Sequence, residues 1–351
     1  ITVYEKNQSV NLEEGYGIQL SVNSVKLLNK IEFHNFEDDK KFNPERINFY
    51  SIKNFNKICD LNITDFNSED CKYTTLKRSD LINFLKIGLE NLIKTNHSIK
   101  KIYQENTKIK LSFENDETSE CDCLIISDGV FSKSKSLITN NQNKPRYNNT
   151  LAIRGMISRS SHNIDSKNIS LFLGSDFHNV IYPVSQNGDL NFIGIMKYKL
   201  SYTEQKNFSL FNDNTFIKKI FDNSPPEISK FLDEVKELKI FPVFVSDKFF
   251  KIKKNNIHLI GDAFFAFPPS FAQGASQSIE GAYELFKSIQ NNTECKFFTK
   301  RVYKTKMVNR RSKFNQFVFH ISNPLIRFFR DIILKKLAKN KKFLESYLGK
   351  I

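Results

Sequence analysis

The sequence predicts an α/β protein: a discontinuous nucleotide-type domain, an inserted mostly antiparallel β region and a helical C-terminus. Three observations carry this reading. Short apolar strands end in an acid or a Gly-Asp step ("ITVYE", "CLIISDG", "NIHLIGD"), and helical patterns follow them. Residues 150–250 change character and hold short β-branched and aromatic runs at the spacing of an antiparallel sheet. Residues 276–351 carry a helical pattern throughout.

The elements follow in order. Ile1 and Val3 alternate with polar neighbours and end at Glu5, as a strand does when it carries a ribose-binding carboxylate. "EEGYGIQLSVNSVKLLNKI" gives a Gly-rich turn and a helix with Val22, Val25, Leu28 and Ile31 on one face. Residues 42–70 are polar with apolar bursts, suited to edge strands and loops. "TTLKRSDLINFLKIGLENLI" predicts a helix capped by Ser79 or Asp80, with Leu81, Phe84, Leu85, Leu89 and Leu92 as its stripe. Residues 99–129 predict two strands, then a buried strand ending at Asp128-Gly129. "TLAIRGMI", "ISLFLG", "NVIYPVS", "DLNFIGIMKY" and "FPVFVSDKF" are the strands of the insert. A helical stretch over about 203–238, broken at Pro225-Pro226, interrupts them. The order places 1–42, 71–148 and 249–320 in the nucleotide-type domain. Residues 43–70 and 149–248 form the β domain, and 321–351 a basic helical tail.

Composition narrows the function. Net charge is +15, yet residues 296–351 hold 16 Lys/Arg against Asp331 and Glu345, a surplus of +14. The body is close to neutral and offers no broad basic groove, which speaks against a nucleic-acid partner. Five cysteines without CxxC or metal-type His spacing read as free thiols of a reducing cytoplasm, with no metal site. No run reaches the roughly 18 apolar residues of a membrane span. His34, His97 and His162 read as surface residues, His258 and His320 as structural ones.

The stretch "GDAFFAFPPSFAQGASQSIEGAYELF", Gly261–Phe286, carries the chemistry. At Gly261 the backbone must turn sharply or pass close to something. Asp262 then stands at the carboxyl end of a strand, where open α/β sheets bind ligands and a carboxylate can accept bonds from sugar-alcohol hydroxyls. Pro268 and Pro269 stiffen the loop. Gly274-Ala275-Ser276 begin a helix whose first N–H groups are unsatisfied and partly positive. A ring with an anionic carbonyl edge suits such an end, as a flavin does, with its ribityl chain on Asp262.

This stretch resembles the "GDAAHxxxPxxAQGxxxAxEDA" segment of the group A FAD-dependent aromatic monooxygenases, the para-hydroxybenzoate and salicylate hydroxylase type. "CLIISDGVFSKSK" is similar to that family's "LLVGADGxxSxxR", "GYGIQLSVNSVKLL" to "GAGIQLxPNAxxAL", and "KRSDLINFL" to "RxxLxxxL". "HNVIYPVSQNGDLNFIGI" and "RRSKFNQFVFHISNPLIRFFRD" are similar to its substrate-domain strand pair and its terminal segment. The resemblance covers nearly the whole chain and implies a Rossmann-like FAD-binding domain with an inserted substrate domain. It implies that NAD(P)H reduces the flavin as a transient co-substrate, that O2 adds at the flavin C4a position, and that one oxygen passes to the ring of a small phenolic substrate. The family opens with a strand and GxGxxG, absent here; a βαβ unit is about 30 residues, so roughly that much is expected upstream of Ile1. The chain as given is expected to bind FAD weakly. Phe265, Lys135 and Ser276 stand where the family has His, Arg and Asn.

The resemblance and the residues together give the expected site. Glu5, Gln19, Arg78, Asp128, Gly129, Gly261, Asp262, Pro268, Gly274, Ala275 and Ser276 are expected at the cofactor. His178, Tyr182 and Gln273 are expected at the substrate. His178 and Tyr182, four apart on one extended arm, can face the same side of the sheet. A His with its ordinary pKa of about 6.5 suits deprotonation of a phenol; the plainer alternative is a hairpin His beside a core Tyr. A second reading places the basic amphipathic helix "NPLIRFFRDIILKKLAKNKKF" on anionic lipid, with Ile326, Phe329, Ile333 and Leu337 on one face, as in a membrane-peripheral hydroxylase of a polyprenyl phenol. Its plainer alternative is a terminal helix docked on the body. A flavoprotein without turnover is a third.

Overall fold

The computed structural model describes the chain except residues 11–15, 106, 141, 143, 158–164, 233, 255 and 349–351. Its largest element is a seven-stranded sheet. In spatial order the strands are Val235–Val245, Arg146–Ile157, Leu190–Lys197, Phe177–Pro183, Ile169–Leu173, Arg46–Ser51 and Lys57–Asn62. Neighbours run antiparallel except Ile169–Leu173 beside Arg46–Ser51.

Period-2 alternation gives this sheet two different faces. Leu151, Ile153, Phe177, Ile181 and Phe192 pack on Phe211, Phe216 and Ile220 from the helical segment between strands. The other face is a cavity wall. Arg154, Ile193, Val180, Leu171, Phe49 and Cys59 stand in one transverse row, paired strand by strand, and all six line the cavity.

Across the cavity lies the nucleotide-type part. Val3–Tyr4 pairs in parallel with Ile93–Lys94, and Leu124–Ile126 with Ile257–Leu259. The meander Ile99–Glu105, Lys108–Phe113 and Thr118–Cys121 covers them, with Ile109, Leu111 and Phe113 packed on Ile126, Ile257 and Leu259. A fourth small sheet, Gly17–Leu20, Thr74–Lys77 and Lys41–Phe42, joins the two parts. The Gly17 N–H donates to Asn191 Oδ1 at 2.6 Å, and the Thr75 hydroxyl to the Pro183 carbonyl at 2.5 Å. A Cβ on Gly17 would stand 2.6 Å from Asn191 and Val184, so this approach needs glycine.

Helices Gly274–Gln290, Glu294–Phe319, Pro324–Ala338 and Lys341–Tyr347 close the chain. Buried Arg301 pins the second to the first through Gln277 and Glu284. Asn323, ahead of Pro324, and Asn340 cap the last two through their side chains.

Some local expectations fail. The helix beginning at Arg78 has Lys77 at its N-cap and no side-chain cap from Ser79 or Asp80. It ends at Lys86, leaving Leu85, Leu89 and Leu92 exposed, because only Leu81 and Phe84 reach a core. The stretch over 203–238 breaks into helices Tyr202–Lys206, Asn214–Asp222 and Ser229–Leu232, and from Val235 the chain is strand. His97 is no surface residue: it packs on Tyr4 and Phe113 and meets Glu117 at 3.1 Å. His162 lies outside the described residues.

Candidate active site

The two parts enclose a cavity of about 530 Å³. Its first wall grows from the strand Ile257–Leu259. The chain leaves that strand through Gly261, whose φ of +58° lies in the left-handed region; a side chain there would be strained and would press on Ser278. The turn sets Asp262 at the cavity. Its carboxylate is open on the cavity side and hemmed in by protein on the other, which raises its pKa against the pull of Lys135. Lys135 is buried, donates to the Ala263 carbonyl at 3.0 Å, and has a pKa lowered by burial and held up by Asp128 and Asp262. No hydrogen bond to the Asp262 carboxylate from another described residue exists.

The helix Gly274–Gln290 points its N-terminus at the same space. Its first intrahelical donor is Gln277, bonded to the Gln273 carbonyl, so the N–H groups of Gly274, Ala275 and Ser276 have no acceptor within the helix. No side chain caps this end, and open space lies over Gly274. Ala272, with φ of +50°, turns the chain into the helix. The Ser276 hydroxyl accepts the Ser21 N–H at 3.0 Å and ties the helix to the turn after Gly17–Leu20. Unspent donors beside an unpartnered carboxylate suit a ligand with a carbonyl edge and a polyhydroxyl chain.

The second wall is the sheet. His178, Val180 and Tyr182 alternate along their strand and all face the cavity. His178 is 1% exposed, and its Nδ1 lies 2.9 Å from His320 Nε2. Burial, then the neighbouring ring, push its pKa well below 6.5. Burial likewise takes His320 down to about 4, opposed by the charge of Asp176. At the other end Tyr73 donates to Gln19 Oε1 at 2.7 Å, and Tyr182 meets the same side chain. Burial raises both phenols, while Arg154 draws Tyr182 down. Arg154 lies over the Tyr16 ring, 5.7 Å from its centroid, and pairs with no carboxylate among the described residues.

The cavity therefore brings together Gln19, His178, Tyr182, Asp262, Gln273, Gly274 and Ala275. Gln273 is buried and bonded to Gln277 at 3.3 Å. The other expected residues stand outside the lining. Gly261 and Ser276 flank it in sequence, and the Pro268 carbonyl accepts the Ser312 hydroxyl. Glu5 follows the strand Val3–Tyr4, its Oε1 taken by the Asn7 N–H. Asp128 accepts the Ser134 N–H at 3.0 Å, beside Gly129 at φ +80°. Arg78 is exposed at its helix start. Sequence reasoning missed Arg154, Tyr73 and the pairing of His320, and placed Leu337 on the outer face of its helix; it lines the cavity instead. Alternation along "TLAIRGMI" could have found Arg154, since Leu151 and Ile153 take the opposite face.

No protein-family model matches the chain. Salicylate hydroxylase of Pseudomonas putida is 25% identical over 138 residues, 35% of this chain and 32% of that protein's own length. The 3-amino-4-hydroxybenzoate 2-monooxygenase of Streptomyces platensis is 20% identical over 81% of this chain and 72% of its own. Among solved structures, HpxO of Klebsiella pneumoniae in complex with FAD and uric acid superposes with a TM-score of 0.81 at 13% identity, covering 99% of this chain and 89% of that one. The chain thus has the fold of the para-hydroxybenzoate hydroxylase-type FAD monooxygenases and bears out its resemblance to the FAD-dependent aromatic monooxygenase family.

Proposed function

We propose that this protein is an FAD-dependent monooxygenase that hydroxylates a small phenolic molecule, with NAD(P)H as reductant and O2 as oxidant. One observation carries the reading. An uncapped helix N-terminus and an unpartnered Asp262 meet, in one cavity, a mostly apolar sheet face set with His178, Tyr182 and Arg154. The relatives' names point the same way: the two curated relatives are named for hydroxylation of aromatic acids.

The donor set fits a flavin. Asp262 would accept from the ribityl hydroxyls, and the N–H groups of Gly274, Ala275 and Ser276 would meet the pyrimidine edge, with Gln19 on the opposite side. Gly261 and Pro268 shape that loop. Glu5, Arg78, Asp128 and Gly129 would serve the nucleotide end. When bound, the flavin supplies the redox chemistry that delivers one oxygen atom of O2 to the ring.

This chain's own residues do the rest. Ile193, Val180, Leu171 and Phe49 give an apolar floor that excludes water and grips an aromatic ring. His178 presents a neutral imidazole to a substrate hydroxyl and takes its proton, making the ring electron-rich. Gln273 and Tyr182 orient polar substituents, and Arg154 favours an anionic one. The test is product analysis under 18O2 with NADH or NADPH and a panel of hydroxybenzoates and phenols. One labelled oxygen in the product is expected. Flavin-bound protein that oxidises neither cofactor faster with any of them would overturn the reading.

A second reading concerns the surface. On the helix Pro324–Ala338, Leu325, Ile326, Phe328, Phe329, Ile332 and Ile333 are exposed in one stripe beside Arg327, Lys335 and Lys336. Basic residues around an apolar stripe favour an anionic lipid surface over a second copy, which would set like charges face to face. No helix among the described residues is long and apolar enough to cross a membrane. Co-sedimentation with phosphatidylglycerol vesicles, lost in a Phe328→Ser/Phe329→Ser variant, is expected; equal recovery with phosphatidylcholine, or dimerisation through this face, would contradict it.

A further inference from the structure

The polar groups of the sheet wall are gathered in one half of it. The cavity row from Arg154 to Cys59 crosses six neighbouring strands. Five spacings of about 4.8 Å make it roughly 24 Å long. Arg154, His178 and Tyr182 stand on the strands Arg146–Ile157 and Phe177–Pro183. The three strands beyond turn only Ile169 and Leu171, Ile47 and Phe49, and Cys59 and Leu61 to the cavity. The members of each pair are two residues apart, so alternation sends the polar neighbours Ser170, Asn48 and Asp60 to the opposite face. There Asp60 meets Arg46 at 2.8 Å, and Asn48 donates to Asp165 at 2.9 Å.

The terminal helices face these three strands. Val318, Leu334, Leu337, Ala338, Leu344 and Leu348 line the same cavity, and Val318 and Leu334 pack on Phe49 and Leu171. Two polar side chains of this end are already spent. The Tyr347 hydroxyl donates to Asn315 Oδ1 at 2.6 Å, and Asn315 Nδ2 donates to the Ser270 carbonyl at 3.1 Å. Burial raises the Cys59 thiol to about 11, so it is neutral and behaves as a small apolar group. The charged side chains of the lining, Arg154 and Asp262, stand in the other half and on the helix wall.

We propose that the cavity takes an amphiphilic phenol: an aromatic head beside His178 and Tyr182, and a hydrocarbon chain that crosses the next three strands beneath the terminal helices, with Leu337 and Ala338 setting how long the chain can be. The place of the head rests on the monooxygenase reading; the lobe for the chain does not. From the strand Phe177–Pro183 to Lys57–Asn62 is three spacings, roughly 14 Å. At about 1.5 Å per bond in a zigzag, that is a chain of roughly ten carbons. A bare phenol beside His178 leaves most of this apolar wall uncovered. A polar arm would lose its water there and find no free side chain to bond to, whereas each CH2 of a hydrocarbon chain gains by leaving water.

The test is equilibrium dialysis of the full chain against phenol and a series of para-alkylphenols, with and without FAD. Affinity should rise about three- to fourfold per added CH2 and level off near about ten carbons. FAD should not shorten the series, because its seat is on the helix wall. Ala338→Trp, which fills the lobe, should end the rise several carbons earlier, and Leu337→Asp should flatten it. A wild-type rise that stops after the first two or three carbons, or a series shortened by FAD, would overturn the proposal. So would a rise unchanged in both variants, which is what adsorption on the exposed stripe of Pro324–Ala338 gives. If either variant does not fold, Leu337→Phe, a smaller filling of the same space, takes its place and should also end the rise early. The expected plateau with no oxidation of NADH or NADPH on any of these phenols would sink the enzyme reading and leave the lobe standing.

Discussion

The two walls of the cavity satisfy their polar groups in opposite ways. On the helix wall, three N–H groups at Gly274–Ser276 and the Asp262 carboxylate have no hydrogen-bond partner among the described residues. On the sheet wall, His178 is paired with His320, and Tyr73 with Gln19. Asp262 and Gly274 are exposed to the cavity, so these groups are free to meet a ligand there. The helix wall therefore has the character of a seat for a resident cofactor. The sheet wall pairs His178 and Tyr73 within the protein and leaves Arg154 open over the Tyr16 ring, as suits a surface that meets a succession of substrates.

That contrast predicts what substitutions will do. The largest effect belongs to the sheet wall. His178→Asn should slow hydroxylation by about 10²–10⁴-fold, the usual span for loss of a general base. Flavin content should not change, NADH oxidation should continue, and hydrogen peroxide should replace product. Raising the pH towards about 10, where a phenol ionises unaided, should partly restore the rate; a normal yield of product per NADH would remove His178 from the chemistry.

On the helix wall stability and binding should move in opposite directions. Asp262 has a raised pKa, so its folded state disfavours the charge it carries at neutral pH. Asp262→Asn should raise the midpoint of thermal unfolding of the flavin-free chain. The same change should weaken FAD by about tenfold or more in a fluorescence titration, through loss of a charged acceptor. A fall in both would show that Asp262 is there to hold the fold.

The smallest effect separates the walls by pH. His178 and His320 have lowered pKa values, so the unfolded chain binds their protons first. Their contribution is intact above about pH 6.5 and is lost as the pH falls through that value towards about 4 for His320, at up to about 1.4 kcal/mol per pH unit for each proton. Urea denaturation across that range should show this slope, and His320→Gln should flatten it.

The walls also differ in how far the sequence discloses them. Gly261–Ser276 is legible because strand end, turn glycine, carboxylate and helix start are consecutive, and each has a local conformational reason. The face shared by His178 and Tyr182 follows from strand alternation alone. Alternation along its own strand gives the face of Arg154, but what it meets there, Ile193 beside it and Val180 beyond, comes from other strands and is not legible locally. His320 reads as a structural residue for the same reason, since its partner is far off in the chain. The missing cap at Ser79 and Asp80 has another cause. The helix begins where the preceding strand, Thr74–Lys77, ends, and tertiary pairing overrides the local signal.

The central claim is that the helix wall seats a flavin, and a crystal structure of the protein with FAD bound tests it most directly. The account predicts the isoalloxazine ring between the Gly274–Ser276 N–H groups and Gln19, with the Asp262 carboxylate within hydrogen-bonding distance of the ribityl hydroxyls and one ring face turned towards His178. A flavin held elsewhere, with Asp262 and Gly274–Ser276 unchanged and uncontacted, would contradict it.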